Sequence, residues 1–489
     1  LCFNRAEYVG IKKILQESFF MRKRFAIRKL FHLMCVGGIL GLSTNAMASA
    51  FQLFEQDGAS VGNYHAGRSA EASDASTSFY NPAGITRIHN QQLVVGDVGI
   101  LSDIKFRGTT NLSLVLPGNP SIGLPGRVAP FGTTMNSVSQ GGGFSQVPNL
   151  YYVAPINEYI GVGFSVNVPF GLRTDYGRDT ALRYSATKSE IQVVDISPSV
   201  GFNVTKKLSL GLGFDVQRMS AEFDQMANIG TGTDSYATNK GWSTGYGYHV
   251  GALFQFTPTS RVGIAYNSQV IHHIRGTSRF VGPIANSANG VRQGVPSVIY
   301  SGQANAHVTL PAYATISGFH QLCDKWAVMG TVMYTEWSVI QNLTLQDLAA
   351  ANAAQNPPFF LPTPVPSTTT SVVLPTHYHN TWNVSVGANY YANDKVTLRT
   401  GLGWDQSPAN NTYRDVRIPD ANRIAVALGG HYQATKALGF DLGWTHLFMA
   451  GTSAVNPPPG RSGALITTVH GTAQGSADIF GAQLTWNMA

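Results

Sequence analysis

The strongest constraint on this chain is a strand pattern that recurs along it downstream of an export signal. Apolar residues line one face and small or polar residues the other. A strand with two such faces suits an outer-membrane β-barrel, whose outside meets lipid and whose inside is a lumen. The stretch from Trp242 to Phe256 is the clearest case. Trp242, Thr244, Tyr246, Tyr248, Val250, Ala252, Phe254 and Phe256 share a greasy face with aromatics near both ends. Ser243, Gly245, Gly247, His249, Gly251 and Gln255 oppose them, with Leu253 as the exception. A soluble sandwich also alternates, so the weight comes from many such strands together with the export signal.

Residues 1–20 read as sequence upstream of the start, and Met21 opens a signal peptide over residues 21–48. Arg22, Lys23, Arg24, Arg28 and Lys29 form its basic region and Leu30 to Leu42 its apolar core, with cleavage after Ala48 or Ala50. That core is too short to span a bilayer, so it implies export and not anchoring. Cys35 lies within it, but the preceding Met34 does not suit a lipidation signal. Of the 33 Lys and Arg and 26 Asp and Glu, this leader holds eight and two, leaving 25 against 24. The net charge of +7 therefore belongs almost wholly to the leader and gives no reason to expect a nucleic-acid partner. Only Cys323 follows the leader, so no intramolecular disulfide is expected.

Residues 49–92 do not alternate. Gly58, Gly62 and Gly67 punctuate a small, polar run that leads to Phe79-Tyr80-Asn81-Pro82-Ala83. This predicts a compact, partly helical segment. Residues 93–489 then carry fourteen strand candidates, at 93–106, 147–154, 160–171, 190–203, 208–222, 241–256, 261–279, 304–321, 326–343, 377–391, 395–405, 421–434, 438–449 and 476–488. Short connections such as Asn393-Asp394 and Thr435-Lys436 alternate with long ones at 107–146, 223–240, 280–303, 344–376 and 450–475. Tight periplasmic turns and long extracellular loops produce that rhythm. The expected fold is all-β: a transmembrane antiparallel β-barrel of about fourteen strands. The barrel-assembly machinery, an expected partner, reads a terminal aromatic in such barrels; the ending Asn487-Met488-Ala489 departs from that pattern.

Several segments, in order, resemble the FadL family of hydrophobic-compound transporters (OMPP1/FadL/TodX). Ala50-Phe51-Gln52-Leu53 followed by Asn81-Pro82-Ala83 is similar to the family's plug and its Asn-Pro-Ala motif. Val147-Pro148-Asn149-Leu150-Tyr151, Tyr334-Thr335-Glu336-Trp337-Ser338, Arg399-Thr400-Gly401, Asp405, Ser407-Pro408 and Ile418-Pro419-Asp420 with Arg423 continue the match. The resemblance implies that the segment 49–92 plugs the lumen and that Phe51 and Leu53 contact ligand. It also implies passage of long-chain fatty acids without energy input. Exit is sideways through a kink in the third strand, at Pro169, Phe170 and Gly171. Small aromatic hydrocarbons are the alternative cargo, and a surface adhesin or structural barrel is the alternative of another class.

Physical chemistry gives the same gate a reason. At about 0.8 kcal/mol per methylene, a sixteen-carbon tail favours a continuous apolar path by over ~10 kcal/mol. Lipopolysaccharide blocks direct entry to the outer leaflet, so it and the surrounding lipid count among the expected partners. Proline lacks the ladder N–H and glycine relaxes the backbone, so Pro169-Phe170-Gly171 can interrupt the wall or simply end the strand. Asn81, Pro82 and Ala83 are expected to fix the plug's shape. Asp420 and Arg423 read as an ion pair or loop anchor, and Trp337, Trp382, Trp404 and Trp444 as girdle or wall residues. His272-His273 and His377-x-His379 lack accompanying carboxylates or cysteines, so no metal is expected. No catalytic constellation or cofactor motif stands out; Gly211-Leu212-Gly213 lies inside a strand and reads as barrel spacing.

Overall fold

The structure is a computed structural model that describes residues 50–116, 127–130, 135–227, 234–282, 298–351, 367–462 and 465–488. The upstream segment 1–20 and the signal peptide 21–48 lie outside the described residues, as do parts of the long connections. Fourteen antiparallel strands close into a barrel. The first six are Gln92–Leu116, Phe144–Pro155, Ile160–Asp175, Lys188–Asn203, Leu208–Ala227 and Ser235–Thr257. The next four come in two pieces: Ser260–Asn267 with Val270–Val281, Val298–Leu310 with Tyr313–Cys323, Trp326–Thr335 with Asn342–Ala351, and Ser367–Pro375 with Thr381–Asn393. Val396–Asp405, Arg423–Gln433, Leu438–Met449 and Leu465–Asn487 complete the set, and the last pairs with the first to close the barrel.

The alternation works inside-out. Leu212, Phe214 and Tyr246 are 49%, 50% and 64% exposed, as lipid-facing residues must be, while Ser209, Asp215 and Gln217 are buried in the lumen. Leu253, the apolar exception on the sixth strand's inner face, packs against Ala66, Ala70 and Ala83 of the N-terminal segment. An inward apolar residue thus marks where the wall meets protein and not water.

Two differences from expectation have physical reasons. Several presumed loops are strand: the first and last barrel strands run on to Leu116 and back to Leu465, and carry short partners such as Met135–Gln140 and Ser453–Val455. Their Gly, Ser, Thr and Asn content reads as loop because a strand beyond the membrane needs no apolar face. Strands seven to ten are interrupted at 268–269, 311–312, 336–341 and 376–380. Pro311 lies at one of these breaks, where it cannot donate to the ladder. At another, Trp337–Val339 forms a 3₁₀ turn.

Residues 50–91 fold into short helices inside the lumen: Gly58–Val61, Arg68–Glu71 and Thr77–Tyr80, then the 3₁₀ turn Pro82–Arg87. Asp57 caps the first, accepting from Ser60 N–H at 2.8 Å. A buried hub holds them together, with Arg68 ion-paired to Asp57 (2.7 Å), Glu71 (3.4 Å) and Asp74 (3.4 Å). Burial pushes the Asp57 carboxyl up, but Arg68 and Ser60 outweigh it and hold the group below the usual carboxylate range. The segment touches the wall backbone-to-backbone. A Cβ at Gly211 would collide with Pro82 and Ala83, and one at Gly443 would sit 2.6 Å from Gly62 N. Gly211 is therefore clearance for the plug as well as spacing in a strand.

Candidate functional site

The third strand parts from the second partway along, while keeping its pairing with the fourth. Val168 and Pro169 together oppose Val194 of the fourth strand, a bulge between the pairs Asn167↔Asp195 and Phe170↔Val193. On its other edge the ladder to the second strand runs only from Pro155↔Gly161 to Leu150↔Val166. On that edge, Val168 to Gly171 take their hydrogen bonds from the plug. Leu53 N–H donates to Pro169 O at 2.9 Å, Gly171 N–H donates to Phe51 O at 2.8 Å, and Gln52 bridges Phe170. The Gln56 side chain completes the patch: its Nε2 donates to Val168 O (2.8 Å) and its Oε1 accepts from Val168 N–H (3.1 Å). A side-chain amide thus imitates a peptide unit of the missing strand. Tyr151 Oη in turn donates to Gln56 O at 2.5 Å.

A cavity of about 310 Å³ occupies this region. Phe144 and Val147 of the second strand line one side, Val168 and Leu172 of the third another, and Leu53 reaches it from the plug. A Cβ on Gly171 would stand 3.0 Å from Leu53 Cδ1, so any side chain there intrudes on the plug. A larger hollow of about 790 Å³ lies on the wall of strands six to eleven around Gly318 and Gly330; none of its lining residues belongs to the plug.

Phe51 is buried in an aromatic cluster inside the barrel. Its ring centroid lies 5.9 Å from Phe170 and 5.0 Å from Trp337, and Trp337 lies 6.0 Å from Tyr378. Ile191, Val193, Met219 and Leu310 surround these rings. Trp337 is therefore a fully buried lumen residue and not a girdle residue. Trp382 and Trp404 do face outward, half exposed.

Asn81 is fully buried between plug and wall. Its Nδ2 donates to Ser69 O (2.6 Å) and to Ala252 O of the sixth strand (3.1 Å), and its Oδ1 accepts from Ala83 N–H (3.1 Å). Pro82 opens the 3₁₀ turn, where its fixed φ fits and no N–H is needed. Asp420 and Arg423 do not pair with each other. Arg423 pairs with Asp405, whereas Asp420 Oδ2 accepts from Ala50 N–H at 2.7 Å. Burial pushes the Asp420 carboxyl up to about 7, against the Ala50 hydrogen bond, which favours the charged form. His272 is buried facing inward, and His273 faces outward with its ring 4.7 Å from His307. Among the described residues no group of three His, Cys, Asp or Glu is placed to hold a metal.

Gln56 and Tyr378 escaped the sequence reading, and Tyr151 entered it only within a family motif. Gln56 lies in a polar run and its partner is 112 residues away, so no local signal exists. Trp337 had one: continued alternation from outward Trp326, Val328 and Val332 puts position 337 on the inner face.

Comparison with known proteins bears on this geometry. Residues 39–488 match the family model for outer membrane protein transport proteins (OMPP1/FadL/TodX). Outer membrane protein P1 of Haemophilus influenzae is 29% identical over 90% of this chain and 96% of its own length. The long-chain fatty acid transport protein of Escherichia coli is 24% identical over 83% of this chain and 89% of its own. The solved structure of a Pseudomonas aeruginosa FadL homologue superposes with a TM-score of 0.73 at 24% identity, covering 90% of this chain and 100% of that one. The Pseudomonas putida toluene transporter TodX superposes at 0.62 and 17% identity, covering 90% and 100%. The chain belongs to the OMPP1/FadL/TodX family: it is an outer-membrane barrel of a Gram-negative bacterium that transports hydrophobic compounds, and not an enzyme.

Proposed function

We infer that the cargo is a long-chain fatty acid and that it leaves the barrel sideways, between the second and third strands. The observation that carries this reading is the interrupted ladder at Val168–Gly171, held closed by a separable segment, Phe51–Gln56. In this reading Phe51 and Leu53 are the residues that ligand touches and displaces. Cargo entering the aromatic cluster competes with the Phe51 ring, and withdrawal of the segment gives up its bonds to Pro169 and Gly171. The adjoining cavity then joins the lumen to the lipid. Pro169, Phe170 and Gly171 form the gate, while Asn81, Pro82 and Ala83 keep the rest of the plug in place. The driving force is transfer of methylenes from water to an apolar path, so no energy source is required.

Sequence similarity supports the substrate class. Proteins named for long-chain fatty acid transport in Escherichia coli and Salmonella typhi are 24–26% identical, against 15–17% for the solved toluene transporters. Monoaromatic hydrocarbons are the second reading, favoured by the TodX superposition and the aromatic lining around Phe51. The test is uptake of labelled oleate and labelled toluene by cells lacking their own fatty-acid porter. Native chain is compared with a Pro169→Val, Gly171→Val variant confirmed in the outer membrane. Oleate uptake restored by the native chain and reduced at least tenfold in the variant is expected. Toluene uptake alone would replace the cargo, and equal oleate uptake by both chains would remove the gate.

A further inference from the structure

Lysine and arginine are distributed unevenly around the barrel wall. Strands eight to fourteen hold only Arg399 and Arg423 among the described residues. Both are paired to the buried acids Asp441 and Asp405 and are hidden from lipid. The second strand holds none. Strands four to seven, in contrast, turn Lys188, Arg218, Lys240, Arg275 and Arg279 outward, each next in sequence to a buried, inward residue.

These five cations occupy one band, at the levels of residues 238 to 244 on the register of the sixth strand. The register places Arg218 opposite Thr244, Lys240 opposite Glu222, Arg275 opposite Trp242, and Arg279 opposite Thr238. The lipid-facing belt of Leu212, Phe214, Tyr246, Tyr248 and Ile271 lies directly beneath, toward the short-turn end. The band thus lies on the extracellular side of the apolar belt, with Trp242 in the interfacial position between them. The two acids in the row are already engaged: Glu190 by Lys188 (2.6 Å), and Glu222 by Lys188 and Lys240 (3.0 Å each). Arg218, Arg275 and Arg279 have no acidic partner among the described residues. On the first strand Lys105 is held by Asp103 at 2.7 Å, and the exposed Arg107 there and Arg173 on the third strand lie outside the band on strands four to seven.

Three exposed guanidinium groups without acids, set over a greasy wall, match one kind of occupant. It must carry fixed anions at headgroup height and acyl chains below. Guanidinium binds phosphate through paired N–H donors, and it does so best where water is scarce. We propose that the extracellular rim of strands four to seven binds a phosphorylated glycolipid of the outer leaflet, with phosphates on Arg218, Arg275 and Arg279. Its acyl chains lie along Phe214, Tyr246 and Ile271. This surface is independent of the transport route and of its cargo.

The test uses the purified full chain in detergent, checked for correct folding. The probes are bisphosphorylated lipid A and the same lipid stripped of its phosphates. An Arg218→Gln, Arg275→Gln, Arg279→Gln variant is expected to bind the bisphosphorylated lipid at least tenfold more weakly than native chain. A Lys105→Gln, Arg107→Gln control is expected to change less than twofold, and the stripped lipid to bind native chain as weakly as the triple variant binds the intact one. Equal binding by the triple variant, an equal loss in the control, or equal affinity for the stripped lipid would overturn the proposal. Displacement by millimolar inorganic phosphate would do so too, as the mark of a simple anion site. Should the triple variant not fold, each single variant is expected to lose three- to fivefold, and no loss in any of the three overturns the proposal.

Discussion

Two seams of the same wall are built in opposite ways. Where the last strand meets the first, the ladder runs unbroken from Gln92↔Asn487 to Leu114↔Leu465. Where the second meets the third, it stops at Leu150↔Val166, and Val168 to Gly171 bond instead to Phe51, Leu53 and Gln56. Backbone amides at membrane depth must find partners, so a wall can part only where something else supplies them. The difference shows that a ladder can stop without leaving its hydrogen bonds unmade, because another segment takes them over. One seam is closed by two neighbouring strands, and the other by residues 51–56 of the lumenal segment, which on the proposed reading withdraw.

The largest expected break in this comparison comes from Arg68→Met. It leaves Asp57, Glu71 and Asp74 facing one another without their cation, at about 3–5 kcal/mol. Amide hydrogen exchange should rise at Leu53 and Gly171 and stay unchanged between Val95 and Leu112 on the closing seam. Equal rises on both seams would mean that the whole barrel depends on the plug. Gln56→Leu is a sharper and smaller cut. It removes the two bonds to Val168 and the one to Leu53 O (2.9 Å), costing about 1–3 kcal/mol, and should speed exchange at the Val168 amide while Asn81 and its neighbours keep their protection. An unchanged Val168 amide would show that the seam does not need its surrogate peptide group.

Asp420→Asn should have the smallest effect, and one that depends on pH. Burial raises this carboxyl from an ordinary 3.8 to about 7, so the folded chain holds the proton more tightly than the unfolded chain does. Its contribution to stability is present below about pH 4 and is lost as pH rises toward 7. Native protein should therefore lose thermal stability between pH 5 and pH 8 to a greater extent than the Asn variant. Parallel midpoints for the two proteins across that range would show that the Ala50–Asp420 contact does not govern the seam.

The closed seam was far more legible in the sequence than the open one. Alternation at Phe480, Ala482, Leu484 and Trp486 against Val95 to Leu101 is local and periodic, so period alone places those strands. At the open seam, Pro169 and Gly171 announce an interruption, because each has a backbone property readable from its identity. What fills the interruption does not announce itself. Gln56 is one polar residue in a polar run, and only tertiary structure brings its amide to Val168. The interrupted strands seven to ten were hidden for a related reason. Apolar alternation resumes after the breaks, and only Pro311 and Pro375 marked a stop. Trp337 was misplaced because residue type outweighed position parity, although parity was the better guide to which side of the wall it faces.

The patch over the third strand uses the main chain of Phe51 and Leu53 and the side chain of Gln56 alone. What holds the seam shut is therefore separate from what the segment shows to the lumen. On the proposed reading, positions 51 and 53 can be reshaped for a bulkier or slimmer cargo without rewriting the closure, as a lock is rekeyed while its bolt stays the same.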